Sequence, residues 1–160
     1  MRRIKKKKAC HFAKPYPPYQ IKTIIIPIEI VKLEDESFHM IVRAEIDGIK
    51  GDMIIDTGAS VTVIDKAAFP DKISDENRGK IQSGSVSGQI NDVHLIKTAY
   101  IKIGKYKIKN PQLASIDMNY VNDMYNQHLK RKVIGLLGCD FCVRYGVTID
   151  FRNKEISIHH

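Results

Sequence analysis

Met53-Ile54-Ile55-Asp56-Thr57-Gly58-Ala59-Ser60 sets a small acidic loop directly behind an apolar run and directly ahead of a second β-branched one, Val61-Thr62-Val63-Ile64. Apolar, β-branched stretches of this length read as strands that pack against a core. Asp and Gly are turn formers, so the chain bends between the two strands at Asp56-Thr57-Gly58. Gly58 has no side chain, which lets the backbone turn sharply and bring its amide up to the Asp56 carboxylate. Ile54 and Ile55 anchor the loop in the core and keep its dielectric low, so charges placed there couple strongly. An ordinary turn would explain the tripeptide alone; the setting asks for more.

Outward from this loop the chain continues as short strands. Phe38–Ile46 and Ile49–Ile55 flank Asp47-Gly48, the strongest short hairpin signal available. Ile21–Val31 is also β-branched, and its Pro27 suits an edge strand. Residues 71–79 are polar and read as a surface connection. Ile81–Ile96, rich in Ser and Gly around Ser83-Gly84-Ser85-Val86-Ser87-Gly88, fits a mobile hairpin. Ala99–Ile108 alternates around Gly104-Lys105 as a hairpin with one wet face. A helix is expected over Asp117–Lys130, where Tyr120, Val121, Met124, Tyr125 and Leu129 recur at helical spacing and basic residues close the end. Val133–Gly138 reads as a buried strand and Cys139–Tyr145 as a short helix. A last hairpin runs from Val147–Phe151 to Glu155–Ile158. The class is mostly β, closed or barrel-like, with one or two helices.

The 160 residues are most simply one domain, 21–160, behind a basic tail over 1–20. Net charge is +8, but residues 1–22 hold eight of the 26 bases and no acid, which leaves 18 bases against 18 acids in 23–160. The body is neutral. The tail, with Pro15, Pro17 and Pro18, has no apolar face to bury and is expected to be flexible. It could touch an anionic surface weakly, by charge alone. No apolar stretch of signal-peptide or membrane-spanning length follows it, so a cytoplasmic protein without a transmembrane segment is expected. Three cysteines, one of them in the tail, argue against a disulfide framework and for a reducing compartment.

Two carboxylates about 3 Å apart cannot both ionise and must share a proton, so one can activate water while its twin protonates a leaving group. Asp56 is placed to be one of such a pair. A phosphoryl-accepting aspartate fits less well, because no second Asp sits two residues on and no Lys follows. Ile54–Ser60, the Gly-containing hairpin near 83–90, Leu136-Leu137-Gly138 and the terminal Val147-Thr148-Ile149-Asp150-Phe151 together resemble the retropepsin-like aspartic peptidases, and in particular the single-domain bacterial type.

That resemblance covers roughly residues 21–158. It implies a closed retropepsin-like (acid protease) barrel with one or two short helices, and an aspartic endopeptidase without cofactor or metal. Asp56, Thr57 and Gly58 would be catalytic, the Thr57 hydroxyl bonding across to a partner loop. Ala59, Ser60, Leu136, Leu137 and Gly138 would support the loop. Val86, Ser87 and Gly88 would face substrate from a flap, with a peptide or protein bound extended beneath it. A second Asp56 would come from the other subunit of a homodimer. The segment 110–132 is longer than compact viral enzymes carry, and Ala59 stands where two-lobed relatives use Ser.

The other constellations weigh less. Cys139-Asp140-Phe141-Cys142 has redox or metal spacing but lacks a βαβ setting, and zinc would need two further ligands, such as Cys10-His11 or His159-His160. Two small side chains one helical turn apart explain it. The alternative function is a non-catalytic dimeric peptide-binding or scaffolding module of the same fold.

Overall fold

The computed structural model of the protein describes residues 22–72, 84–85, 88–89, 94–109 and 111–159. The tail over 1–20 lies outside the described residues, as does most of the connection over 71–79. The Ile21–Val31 run is two strands rather than one: β1 (Thr23–Pro27) and β2 (Glu29–Glu34). The break falls after Pro27, although the Ile28 N–H still donates to the Lys154 carbonyl at 2.9 Å. β3 (Ser37–Ile46) and β4 (Ile49–Ile55) form the expected hairpin, with positive φ at both Asp47 (49°) and Gly48 (90°) as a tight two-residue turn requires.

β5 (Val63–Asp65) follows the acidic loop. Further along, β6 (Gly84–Ser85) pairs antiparallel with β7 (Gly88–Gln89), a short ladder inside the hairpin expected over 81–96. β8 (His94–Lys97), the hairpin of β9 (Tyr100–Ile103) and β10 (Tyr106–Lys109), and β11 (Gln112–Ile116) come next. The helix α1 (Asn119–Leu129) ends on Lys130 in a left-handed conformation. β12 (Val133–Leu137), the short helix α2 (Cys139–Arg144), β13 (Thr148–Asp150) and β14 (Glu155–His159) complete the chain. No described helix is long and apolar enough to cross a membrane.

The main sheet runs in the order β10-β9-β3-β4-β12-β5-β11-β8, and a separate three-stranded sheet runs β1-β14-β13, with β1 at its edge as Pro27 demanded. The mostly β class is therefore correct, but the described strands do not close into a barrel. One edge of β3 is shared: its first half pairs with β2 (Val31 opposite His39) and its second half with β9 (Glu45 opposite Lys102). The sheet forks there instead of closing, and the terminal strands leave for a sheet of their own.

β4 explains why its sequence shows no alternation. Met53 and Ile55 enter one core with Val42, Ile46, Ile64, Leu137 and Phe141, while Ile54 enters a second with Val31, Ile41, Val63, Met118 and Tyr125. Both faces of the strand are covered, so both are apolar. α1 closes the second core. Its buried Asn122 accepts from the Val133 N–H (2.8 Å) and donates to the Val133 carbonyl (3.2 Å) and to Asp65 Oδ2 (3.1 Å), fixing the helix to β12 and β5. Asp52 is buried and held by Arg131, which donates to Oδ2 through Nε (3.1 Å) and Nη2 (2.8 Å), with Arg43 Nη1 2.8 Å from Oδ1.

At the β3–β4 turn, burial pushes the Asp47 carboxyl up, but bonds from Lys72 and from the Tyr100 N–H (2.8 Å) outweigh it and hold the group below its ordinary value. A depressed carboxyl stabilises the fold above the unfolded value, about 3.9, and that contribution is lost as pH falls through the folded value. Below about pH 4 the thermal midpoint is therefore expected to fall more steeply in the wild type than in Asp47→Asn, as scanning calorimetry from pH 6 to 2.5 would read. Parallel curves would show that Asp47 carries no such linkage.

Candidate active site

Asp56 is the first residue beyond β4, and three backbone bonds hold its loop. The Asp56 N–H donates to the Leu137 carbonyl at 3.0 Å, the Ala59 N–H to the Asp56 carbonyl at 3.2 Å, and the Cys139 N–H to the Ala59 carbonyl at 2.8 Å. The Gly58 N–H donates to Asp56 Oδ1 at 2.8 Å, the contact expected from a glycine at that position. Asp56 and Ala59 are half-buried, whereas Thr57, Gly58 and Ser60 are exposed, so the tip of the loop stands at the surface of the chain.

Beneath the loop, β12 lies between its two arms. It runs parallel to β4, with Leu136 opposite Ile54 and Leu137 opposite Ile55, and antiparallel to β5, with Leu136 opposite Val63. Glycine makes that threading possible: a Cβ on Gly135 would lie 2.4 Å from the Val63 carbonyl oxygen. Leu137 is fully buried and Gly138 ends the strand against Val61 and Thr62. The structure thus gathers Asp56, Thr57, Gly58, Ala59, Leu136, Leu137 and Gly138, and Ser60 sits on the same loop facing solvent. Gly88 belongs to the short β6–β7 ladder, while Val86 and Ser87 lie outside the described residues.

Two residues that sequence reasoning missed complete the loop's support. Thr62 donates to Asp140 Oδ1 from both its N–H (2.8 Å) and its hydroxyl (2.7 Å), and its Oγ1 accepts from the Gly138 N–H at 3.1 Å. The signal was an Asp two residues past Leu136-Leu137-Gly138, which looked like an ordinary acidic residue in a helix's first turn. Cys139 also contributes, its thiol donating to the Thr57 carbonyl at 2.9 Å. The two thiols of α2 are free, and burial raises Cys142 above its ordinary value, followed in effect by the neighbouring Cys139 and Asp140.

Residues 42–141 match the family model described as aspartyl protease. No curated protein matches the chain. Among solved structures, a retropepsin-like aspartic protease from Rickettsia conorii is similar at 21% identity, over 88% of this chain and 92% of that one, with a TM-score of 0.52. The retroviral protease-like domain of Ddi1 from Leishmania major aligns at 12% identity over 74% of this chain and 86% of that one, with a TM-score of 0.48. The Rickettsia likeness is one of fold, and it extends over nearly the whole of both chains.

Proposed function

The chain belongs to the aspartyl protease family, and from that premise we propose that it is an aspartic endopeptidase whose catalytic pair is Asp56 from each of two copies. The observation that carries the reading is the loop itself: one half-buried carboxylate, fixed by the Gly58 N–H, in a turn anchored on Leu137 whose tip is exposed. These 160 residues contain a single Asp-Thr-Gly. A second copy facing the first across a two-fold axis supplies the missing carboxylate with the same geometry.

In that arrangement one carboxylate takes a proton from water as it attacks the scissile carbonyl. The protonated twin polarises that carbonyl and later donates to the leaving nitrogen. Thr57 bonds across the axis and keeps the two loops in register. Leu136, Leu137 and Gly138 form the floor beneath them, with Ala59 and Ser60 completing the loop. Val86, Ser87 and Gly88 close over a peptide bound in extended form, recognised chiefly through its backbone. The free thiols of Cys139 and Cys142 accord with work in a reducing, cytoplasmic setting.

The reading is tested by measuring activity and mass together. Specific activity on an unstructured peptide should rise with protein concentration over the range in which sedimentation shows monomer converting to dimer. A statine-type transition-state mimic should move that conversion to lower concentration. Full specific activity in a strictly monomeric sample would sink the shared site.

A further inference from the structure

We propose that Asp140 is a positioning residue for the acidic loop and acts through Thr62; this rests on the reading of Asp56 as the working carboxylate. The loop is held at its entry by Asp56 N–H to Leu137 and at its middle by Cys139 N–H to Ala59. Both are backbone bonds, indifferent to side-chain identity. The exit, at Thr62, has one long backbone bond, from the Ala114 N–H to the Thr62 carbonyl at 3.4 Å, and its short bonds run through side chains, so residue choice bears on the loop's position there.

The chemistry of that point is directional. A hydroxyl has one proton to give and lone pairs to receive with. Asp140 Oδ1 takes the Thr62 hydroxyl proton at 2.7 Å, which leaves the oxygen free to accept from Gly138 N–H at 3.1 Å. The same carboxylate oxygen takes the Thr62 N–H at 2.8 Å. Bonds to an ionised acceptor are the stronger kind. Thr62 is only 4% exposed, so its hydroxyl has little water to fall back on. α2 takes no side-chain capping bond: its N-cap is Gly138, and the Asp140 carboxylate in its first turn makes its bonds to the loop instead. One side chain thereby ties residues 138–140 to the return arm of the loop that carries Asp56.

The test uses the full chain and compares Asp140→Ala, Asp140→Asn, Thr62→Val, Thr62→Ser and the Asp140→Ala/Thr62→Val double variant. Loss of positioning should lower kcat about 30-fold in Asp140→Ala and in Thr62→Val with KM within about twofold, since small misplacements of reacting groups cost rate rather than binding. Asn keeps an acceptor oxygen and Ser keeps the hydroxyl, so both should stay within about threefold of wild type. Because the two residues act in series, the double variant should be no slower than the worse single one. Amide exchange should accelerate at Thr62 and Gly138 in Asp140→Ala and stay unchanged in β1 and β14. An unaltered kcat in Asp140→Ala, multiplying losses in the double variant, or a rise in KM at constant kcat would overturn the proposal. Should Asp140→Ala fail to fold, the Thr62→Val and Thr62→Ser pair decides by the same criteria. If cleavage survives Asp56→Asn, the peptidase reading has failed separately, and unaccelerated exchange at Thr62 and Gly138 would then overturn the positioning role by itself.

Discussion

Asp56→Asn is expected to lower kcat/KM for an unstructured peptide on the order of 10⁴-fold, the full worth of the general acid–base pair. The substitution is chosen for what it keeps. Asn retains an oxygen at the Oδ1 position, so the Gly58 N–H, 2.8 Å away in the wild type, still has its acceptor. The loop's backbone bonds to Leu137 and Cys139 do not involve the side chain at all. Circular dichroism, thermal midpoint and sedimentation should therefore match wild type while turnover vanishes. A shared site makes a sharper demand. Mixed with an equal amount of Asp56→Asn chain under random pairing, roughly a quarter of all dimers carry two aspartates, and only about half of the wild-type chains sit in one. Activity should drop accordingly, and further as the variant is added in excess. A variant that merely dilutes the wild type, without suppressing it, would show that each chain works alone.

Most of the chain's strands and helices were legible in the sequence because they rest on local signals. Asp47-Gly48 dictated the β3–β4 hairpin, and Ile54 and Ile55 marked a strand that anchors the loop in the core. Tyr125 at helical spacing marked α1 and Asp56-Thr57-Gly58 marked the loop, while Leu136-Leu137-Gly138 as its floor followed from the family resemblance. The failures share a different cause. The break between β1 and β2 needed Pro27 to be weighed against the β-branched residues on either side of it. Whether the sheet closes depends on how β3 divides one edge between β2 and β9, which no periodicity encodes. Asp140 and Thr62 were missed because their partnership spans 78 positions, and each looks ordinary where it stands. Asn122 belongs to the same class, a polar residue on a helix whose partners Asp65 and Val133 come from two different strands. Long-range polar contacts are the part of a fold that composition and spacing leave open.

Gly138→Ala is expected to damage the floor of the site strongly, costing about 3 kcal/mol, the upper end for overpacking a filled site. Backbone freedom is not the reason, since Gly138 sits at φ −90° and ψ −179°, an extended conformation open to any residue. The reason is space. A Cβ there would lie 2.6 Å from both the carbonyl carbon and oxygen of Val61 and 2.9 Å from the Thr62 nitrogen. These are backbone atoms of the loop's return arm, so no side-chain rotation relieves the clash. β12 and the arm must separate, which pulls Gly138 N–H away from Thr62 Oγ1 and Cys139 N–H away from the Ala59 carbonyl. Stability and turnover should consequently fall together. Gly48→Ala is the useful contrast. Nothing lies within 4 Å of its Cβ, but φ is +90°, so the cost is backbone strain of about 1–2 kcal/mol at a turn, with kcat untouched. Urea midpoints and kcat measured on both variants separate the two effects. If Gly138→Ala proved as stable as wild type and fully active, β12 could not thread the loop as closely as its contacts require.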